Sequence, residues 1–310
     1  MENKKLSIIV PCYNEEATIN LFFDEMEKIR PQLPLEFEYL FINDGSRDKT
    51  LQMLRTLQEN NETCVHYLSF SRNFGKEAAI YAGLEHATGD FVTLMDADLQ
   101  DPPELLLEMW EKIQADDVDC VAARRDDRKG EPFLRSLFSK AFYKIMNHIS
   151  ETPVIDGVRD FRLMTRQMTE SLLELSEYNR FSKGLLTWVG YNTAYVSYKN
   201  QQRIAGKSSW NFWKLLDYSI DGIVNFSEIP LKMATYSGGF AFGLSILAII
   251  FLIIRQEFFH HSVSGWTSTI VILIFCFGFT WMLMGILGNY IAKIFLETKK
   301  RPIYIVKEVK

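Results

Sequence analysis

Cysteine is scarce in this sequence, and its four cysteines show no Cys-x-x-Cys spacing. The sequence therefore favours neither a zinc site nor a disulfide framework, and we predict small buried thiols in a reducing compartment. It also lacks a Walker motif and a G-x-G-x-x-G fingerprint, which removes support for an ATPase or a dinucleotide-binding enzyme. Basic residues are not in excess, since the formal net charge is −5, so no nucleic-acid partner is expected.

Charged residues are absent from two long stretches, Met233–Ile254 and Ser262–Ala292. At ~1.5 Å per residue, the first covers about 33 Å as a helix, enough to cross the ~30 Å hydrocarbon core of a bilayer. Two buried core helices are the alternative, which uncharged runs of this length disfavour. Lysines flank the outer ends, at Lys232 and in the tail, so the positive-inside rule predicts a multi-pass plasma-membrane protein with both termini and the preceding domain in the cytoplasm.

Short apolar runs alternate with amphipathic segments over the first 123 residues. This alternation predicts an α/β domain with an open, mainly parallel sheet and helices on both faces. The first run is cut short by Pro11, so it is predicted to be a strand and not a secretion signal. The predicted strands are Leu6–Val10, Phe37–Asn43, Val65–Ser69, Phe91–Met95 and Val118–Ala123, and the predicted helices are Glu15–Arg30, Asp48–Asn60, Lys76–Ala87 and Pro102–Gln114.

These patterns divide the chain into four predicted parts. Residues 1–207 form the cytoplasmic domain, 208–232 a juxtamembrane amphipathic helix, 233–292 two transmembrane helices with a short outer loop, and 293–310 a basic cytoplasmic tail. Aromatic and aliphatic residues recur at helical spacing in Trp210–Val224, as is typical of a helix lying in the membrane interface. Phe133–Ile149 has a similar pattern, and packing on the sheet domain is the alternative for both segments.

Polar residues follow the predicted strands, and open parallel sheets bind ligands at the carboxyl ends of their strands. After the first strand, the ring of Tyr13 offers a flat face for a base. After the second, Asp44 can accept hydrogen bonds from a base or a ribose hydroxyl. After the third, Ser71–Lys76 combines a glycine with two cations near a helix start, which suits a phosphate. An ordinary turn is the alternative for each of these motifs taken alone.

Asp96-Ala97-Asp98-Leu99-Gln100 follows the fourth predicted strand and is the most informative motif of the chain. Two carboxylates one residue apart at a strand end can face one hard cation. Oxygen ligands of this kind suit Mg²⁺ or Mn²⁺, which would bind a nucleotide diphosphate through its phosphates.

Taken in this order, the four strand-end motifs resemble those of the family 2 glycosyltransferases with a GT-A fold. The run from Asp96 to Glu104 is similar to the signature of the dolichol-phosphate mannose synthase and bactoprenol-phosphate glucosyltransferase branch. The resemblance extends over nearly the whole chain, including the two C-terminal spans. Further motifs similar to that branch are Asp160-Phe161-Arg162-Leu163, Arg180-Phe181 with Trp188-Val189-Gly190, and Arg203-x-x-Gly206-x-Ser208.

The resemblance implies a role for individual residues. Those expected to bind the nucleotide-sugar are Pro11, Tyr13, Glu15, Asp44, Lys76, Asp96 and Ala97. Those expected to hold the divalent ion are Asp96, Asp98 and Gln100. Those expected to meet the acceptor phosphate are Arg124, Arg135, Ser139 and Arg203, although a solvated charge cluster is the alternative for Arg124. Asp98, Asp160 and Arg203 are the expected catalytic residues.

The implied reaction is an inverting, metal-dependent transfer of one sugar from a nucleotide-sugar to undecaprenyl or another polyprenyl phosphate. A phosphate monoester with a second pKa of ~6 is largely ionised at neutral pH, which predicts arginines and not a general base around the acceptor. Asp160 remains either a base or a carboxylate that orients Arg162 or the metal site. UDP with glucose or N-acetylglucosamine is favoured, and transfer from GDP-mannose is the alternative.

Two further functions remain as alternatives. A processive polysaccharide synthase is disfavoured because Gln201-Gln202-Arg203 is not followed by tryptophan and two spans cannot enclose a polymer channel alone. A membrane-anchored binding protein is disfavoured by the intact Asp96, Asp98 and Gln100 set. The spans are expected to contact membrane lipids and are also compatible with a homo-oligomer. Which surface glycan receives the sugar is left open.

Overall fold

One eight-stranded mixed sheet, in the order β7-β5-β6-β4-β1-β2-β3-β8, forms the centre of the protein. The computed structural model describes residues 4–115, 117–126, 155, 157–198, 224, 227–259 and 265–310. The strands are β1 (Lys4–Cys12), β2 (Leu35–Asn43), β3 (Val65–Phe70), β4 (Phe91–Leu94), β5 (Cys120–Arg125), β6 (Val158–Thr165), β7 (Thr193–Tyr198) and β8 (Val306–Val309). The helices are α1 (Ile19–Ile29), α2 (Thr50–Asn60), α3 (Lys76–His86), α4 (Leu105–Ala115), α5 (Arg166–Glu174), α6 (Ser182–Trp188), α7 (Ile229–Phe259) and α8 (Trp266–Thr298), with a 3₁₀ turn at Arg30–Gln32.

Parallel pairing dominates the middle of the sheet. β1 pairs in parallel with β2 and β4, β2 pairs in parallel with β3, and β5 pairs in parallel with β7. β6 is antiparallel to both β4 and β5, and β8 is antiparallel to β3. The predicted α/β domain of GT-A type, with a mainly parallel sheet, is confirmed.

All five predicted strands are present; all four predicted helices are also present, but two of them begin three or four residues later than predicted. The first helix begins at Ile19 and not at Glu15, because the backbone before it is bonded elsewhere. Asn14 has a left-handed φ of 57°, and the amide of Glu15 donates to the hydroxyl of Thr50. The fourth helix begins at Leu105 and not at Pro102, after a turn in which the Leu105 amide donates to the Pro102 carbonyl.

Both faces of the sheet are covered, so the central strands are buried on each side. Ile8 and Val10 of β1 face a core shared with α1, α2 and α4, whereas Ile9 faces a second core shared with α3, α5 and α6. Burial on two sides explains why these strands are almost continuously apolar in sequence. The carboxyl ends of the parallel strands are therefore the places where polar side chains are concentrated.

Helix α3 lies very close to β1, which fixes the position of its first residues. A Cβ atom on Gly83 would lie 2.1 Å from Cγ2 of Ile9, so the helix approaches the strand at a distance that only glycine allows. Ala79 and Ala82 on the same helix are fully buried. This contact holds the start of α3, at Lys76, beside the carboxyl ends of β1 and β4.

Two long helices follow the sheet domain. Within the described residues, one stretch of α8, Ile272–Thr298, is long and apolar enough to cross a membrane, and none of it is buried by the rest of the chain. The hydroxyl of Tyr290 donates to the carbonyl of Ser227, 2.7 Å away, which ties α8 to the segment before α7. The amphipathic segments predicted at 133–149 and 210–224 lie outside the described residues, apart from Val224.

The tail at 293–310 contains a strand that the sequence analysis does not predict. β8 pairs with the free edge of β3, with Leu68 opposite Val309. The chain therefore returns to the sheet domain after α8. This places the end of α8 close to the domain in which the chain begins.

Candidate active site

The candidate site lies where β1, β2 and β4 end. Cys12 at the end of β1 is paired with Asn43 at the end of β2, and the amide of Met95 after β4 donates to the carbonyl of Ile9. The carboxyl ends of three parallel strands consequently meet at one edge. Asp44 and the motif that begins at Asp96 follow directly from these ends.

Asp44 joins the end of β2 to the loop Ser71–Gly75, which follows β3. Its carboxylate is buried and accepts hydrogen bonds from the amides of Phe74, at 2.6 Å, and Gly75, at 3.0 Å. Burial raises the pKa of Asp44 to about 6, although these two hydrogen bonds and nearby Arg72 act in the opposite direction. Ionised Asp44 thus fixes the loop while keeping acceptor capacity for a ligand.

Gly45 makes the approach between these two segments possible. It has a φ of 63°, and a Cβ atom there would lie 2.4 Å from the carbonyl carbon of Arg72. An L side chain is disfavoured by both the backbone conformation and the close contact. In sequence, Gly45 is only part of the turn after the second strand; in the structure, it lets the segment after β2 approach the loop Ser71–Gly75.

Lys76, at the start of α3, contacts two carboxylates. Its Nζ lies 2.7 Å from Oδ1 of Asp96 and 2.7 Å from Oδ2 of Asp160. Burial alone would raise the pKa of Asp160, but Lys76, Lys183 and Arg162 together hold this pKa well below its usual range. A carboxylate with so low a pKa is a weak proton acceptor near neutral pH. The geometry therefore favours a positioning role for Asp160 over the alternative of a general base.

The acidic motif continues in a tight turn. Leu99 has a left-handed φ of 52°, and the amide of Gln100 donates to Oδ1 of Asp98 at 3.2 Å. The side-chain oxygen of Gln100 accepts a hydrogen bond from Arg159 at 3.3 Å. Asp98 is buried, whereas Asp96 retains about 29% side-chain exposure.

These donors fit a hard divalent ion. Asp96, Asp98 and Gln100 offer two carboxylates and one amide oxygen, which is the donor type of Mg²⁺ and Mn²⁺ sites. In the described part of the chain, no three His, Cys, Asp or Glu side chains are grouped so that they could hold a metal ion by themselves. A partial set suits an ion that keeps several waters and binds substrate phosphates.

The segment after β1 makes fewer contacts within the candidate site than the segments after β2, β3 and β4. Tyr13 is 41% exposed, so its ring is available for stacking. The carboxylate of Glu15 accepts a hydrogen bond from Thr18 at 2.8 Å. Asn14 joins this segment to the loop after β2, because its amide donates to Ser46 and its side chain accepts from the Arg47 amide. Ala97 is buried in the core.

The predicted acceptor residues are mostly beyond the described structure. Arg124 lies near the end of β5, opposite Val158 of β6, and is exposed. Arg135, Ser139 and Arg203 lie outside the described residues, so their roles stay predictions. Direct contacts bring together Lys76, Asp96 and Asp160, whereas Asp44 is bonded to the amides of Phe74 and Gly75, directly before Lys76.

Sequence reasoning missed a supporting layer around the acidic motif. Arg159 of β6 donates to Asp101 at 3.2 Å, and the hydroxyl of Tyr198 of β7 also donates to Asp101. Glu77 of α3 is partly buried beside Lys76 and accepts hydrogen bonds from the amide and hydroxyl of Ser182. In sequence, Asp101, Arg159 and Glu77 are adjacent to Gln100, Asp160 and Lys76, whereas Tyr198 and Ser182 carry no such signal.

Arg180 and Phe181, singled out in the sequence, are structural in the described part of the chain. Phe181 is buried, and the Arg180 guanidinium lies 4.6 Å from the ring centroid of Tyr81 on α3. Arg180 also donates to the carbonyl of Leu175. This motif therefore anchors α6 against α3.

Comparison with known proteins identifies the family. The chain is 44% identical to the putative glycosyltransferase CsbB of Bacillus subtilis over 310 residues, covering 99% of this chain and 93% of that protein. It is 42% identical to the bactoprenol glucosyl transferase of Shigella phage SfX over 306 residues, covering 99% of this chain and 100% of that one. It is also similar to the crystal structure of glucosyl-3-phosphoglycerate synthase from Mycobacterium tuberculosis in complex with Mn²⁺, UDP-glucose and phosphoglyceric acid, at 18% identity and a TM-score of 0.49, covering 71% of this chain and 78% of that one. The model of glycosyl transferase family 2 matches residues 7–173, more than half of the sequence. With its mixed sheet and strand-end acidic motif, this chain belongs to glycosyl transferase family 2.

Proposed function

We propose that this enzyme transfers one sugar from a nucleotide-sugar to a polyprenyl phosphate at the cytoplasmic face of the membrane. The observation that carries the proposal is the cluster of Lys76, Asp96 and Asp160 at the strand ends, adjoining Asp98. A bactoprenol glucosyl transferase that is similar over nearly the whole chain supports the acceptor class. UDP is the favoured nucleotide, and glucose or N-acetylglucosamine the favoured sugar.

The donor is expected to bind between Tyr13 and the loop Ser71–Gly75. Tyr13 is exposed enough to stack on a base, and Asp44 has acceptor capacity for a base or ribose group. The diphosphate would then lie toward Lys76, whose charge opposes the negative charge that builds on the departing nucleoside diphosphate. Asp160 orients Lys76 through a 2.7 Å contact.

Asp96, Asp98 and Gln100 are the residues that would hold Mg²⁺ or Mn²⁺. When bound, such an ion supplies positive charge that stabilises the diphosphate leaving group. Arg159 supports this set from β6, because it contacts both Gln100 and Asp101. The acidic turn is thereby held on the sheet by contacts within the protein.

The acceptor chemistry does not require a general base. A polyprenyl phosphate is largely ionised at neutral pH, since the second pKa of a phosphate monoester is ~6. Its oxygen can attack the anomeric carbon directly, with inversion, while the bond to the nucleoside diphosphate breaks. The low pKa of Asp160 agrees with a role in orienting Lys76 and not in removing a proton.

The membrane arrangement follows from α7, α8 and β8. We propose that both long helices cross the bilayer. Two crossings return the chain after α8 to the side of the membrane on which α7 begins. The pairing of β8 with β3 supports this proposal, because both ends of the helical pair are then next to the sheet domain. The lysine-rich tail assigns that side to the cytoplasm by the positive-inside rule.

The function is tested by assaying the full-length protein in detergent with undecaprenyl phosphate, Mg²⁺ or Mn²⁺, and radiolabelled UDP-glucose, UDP-N-acetylglucosamine, UDP-galactose or GDP-mannose in separate reactions. We expect label in the organic phase from one donor, only in the presence of a divalent ion. Label in a growing water-soluble polymer would instead indicate a processive synthase. Folded protein that yields no lipid product with any donor would refute the proposal.

Donor binding is expected to weaken as the pH falls through about 6, the pKa of Asp44. The protonated carboxyl loses acceptor capacity for the Phe74 and Gly75 amides and for the donor, so the Kd for UDP-glucose should rise up to about ten-fold between pH 7 and pH 5. The pH has the opposite effect on folding stability. Because the pKa of Asp44 is raised in the folded protein, its contribution to stability is present at low pH and is lost as the pH rises through about 6.

Isothermal titration calorimetry without acceptor checks this prediction, because the acceptor phosphate titrates in the same range. The matched control is Asp44→Asn, whose donor Kd should be weak and nearly independent of pH from 5 to 7. A wild-type Kd that stays constant over this range would show that Asp44 does not govern donor binding.

A further inference from the structure

Residues 303–310, which we term the C-terminal strap, run along the free edge of β3. Beyond the β8 pairing, the amide of Tyr67 donates to the carbonyl of Lys310, and the amide of Lys310 donates back to Tyr67. At the other end, the amide of Ser71 donates to the carbonyl of Ile305 at 3.0 Å. The strap thus reaches the first residue of the loop Ser71–Gly75.

An aromatic column connects the strap to that loop. The ring of Tyr304 stacks on Phe70 with centroids 4.9 Å apart, and Phe70 meets Phe74 edge-on at 5.8 Å. The hydroxyl of Tyr304 donates to Glu85 of α3. Phe70 is buried, so its ring can shift only if one of its neighbours gives way.

The column ends at the donor side of the candidate site. The amides of Phe74 and Gly75 are the two donors to the Asp44 carboxylate, and Lys76 follows immediately. The Arg72 guanidinium lies 4.4 Å from the Phe74 ring centroid, so the loop also packs on itself. Any displacement of Phe74 therefore moves the hydrogen bonds that orient Asp44.

Contacts outside the loop fix the strap and the end of α8. Arg55 of α2 forms a two-pronged ion pair with Glu308, which also accepts from the hydroxyl of Tyr67. Near the end of α8, the carboxylate of Glu297 accepts from the amides of Tyr178 and Asn179, in the segment before α6. The strap and the end of α8 that precedes it are therefore both fastened to the sheet domain.

We propose that the C-terminal strap is a positioning element for the donor site, acting through Tyr304, Phe70 and Phe74 on Asp44. Donor affinity then depends on residues that follow the membrane helix, although none of them contacts the donor. The inference rests on the proposed function only in taking the Asp44 side of the site as the place where the nucleotide-sugar binds.

The test compares Tyr304→Ala with Tyr304→Phe in the full-length protein in detergent. Tyr304→Phe keeps the ring stack on Phe70 and loses only the hydrogen bond to Glu85. We expect Tyr304→Ala to raise the Kd and KM for UDP-glucose about ten-fold, with kcat and the KM for undecaprenyl phosphate within about two-fold of wild type. Tyr304→Phe should stay within about two-fold on all four constants.

Hydrogen exchange of the donor-free protein provides a readout that does not depend on the identity of the donor. In Tyr304→Ala, the amides of Phe74 and Gly75 should exchange about ten-fold faster, whereas those of β1 should not change. If the wild type binds no nucleotide-sugar but the change in exchange is present, the proposed donor is refuted. The link from Tyr304 to the Phe74 and Gly75 amides is then still supported. If Tyr304→Ala is not obtained folded, Tyr304→Leu keeps apolar bulk without the stack and is measured instead.

Three results would overturn the proposal. One is a lower active fraction with unchanged donor Kd and KM, which would make the strap a contributor to stability alone. Another is equal exchange at Phe74 and Gly75 in Tyr304→Ala and wild type. A donor Kd raised equally in Tyr304→Phe would also contradict it, because the effect would then follow the hydroxyl and not the ring.

Discussion

Replacing Asp98 with asparagine is expected to reduce kcat/KM by roughly 10³-fold, the largest effect of any single change proposed for this enzyme. Asp98 is buried in the acidic turn, with its Oδ1 3.2 Å from the Gln100 amide. Asparagine has nearly the same shape but lacks the negative charge that a divalent ion requires. The fold should therefore be retained while the leaving diphosphate loses the charge stabilisation that the ion would supply.

The measurement is label transferred to undecaprenyl phosphate at several concentrations of Mg²⁺ and Mn²⁺. Asp117→Asn is the matched control, because Asp117 is an exposed carboxylate on the same domain and away from the described site. It should retain wild-type activity and the same dependence on the ion. Activity in Asp98→Asn within about ten-fold of wild type would contradict the role assigned to this carboxylate.

Lys76→Met is expected to lower kcat/KM by roughly 10²-fold, because it removes the cation between Asp96 and Asp160. The two carboxylates would then repel one another without an intervening charge. Since the three side chains are 25% to 38% exposed, solvent screening should limit the loss in unfolding free energy to about 1–2 kcal/mol. Both activity and chemical denaturation midpoints report on the change.

A double-mutant cycle with Asp160→Asn separates positioning from proton transfer. If Asp160 acts by orienting Lys76, adding Asp160→Asn to Lys76→Met should cost little further activity, and the combined loss should be clearly smaller than the product of the single losses. Neither single variant should shift the acidic limb of the pH–rate profile. If the losses in the two single variants multiply in the double variant, and Asp160→Asn loses the acidic limb of the pH–rate profile, Asp160 is instead a general base.

Local sequence patterns were sufficient to predict which residues stand at the strand ends that form the candidate site. The apolar runs of β1 to β4 are buried on both faces, so they are continuous and easy to recognise, and each ends where polar residues begin. Parallel pairing then brings these ends to one edge, so the grouping of Asp44, Lys76 and Asp96 was predictable from position, whereas their roles come from the family resemblance and stay predictions. Their contacts with one another required the structure.

Long-range contacts were not predictable in the same way. The pairing of Arg159 with Asp101 joins residues 58 apart, and neither residue type signals a partner. β8 has only four residues, two of them charged, and its burial pattern lacks the regular alternation of a half-buried strand. The free edge of β3 decides its structure, because edge strands offer unpaired backbone groups to any nearby segment.

The pairing of β8 with β3 also sets an order for biosynthesis. Tyr67 and Glu308, which touch in the finished sheet, are 241 residues apart, so the ribosome synthesises both long helices before β8 exists. Until then the nascent chain carries an unpaired strand edge, which is prone to association with other chains. Closing so distant a contact is slow. The edge is therefore covered only after α8 has been made. The loop Ser71–Gly75 gains the support of Tyr304 and Phe70 last. By the link proposed above, chains that still lack the strap would bind nucleotide-sugar less tightly than the completed enzyme.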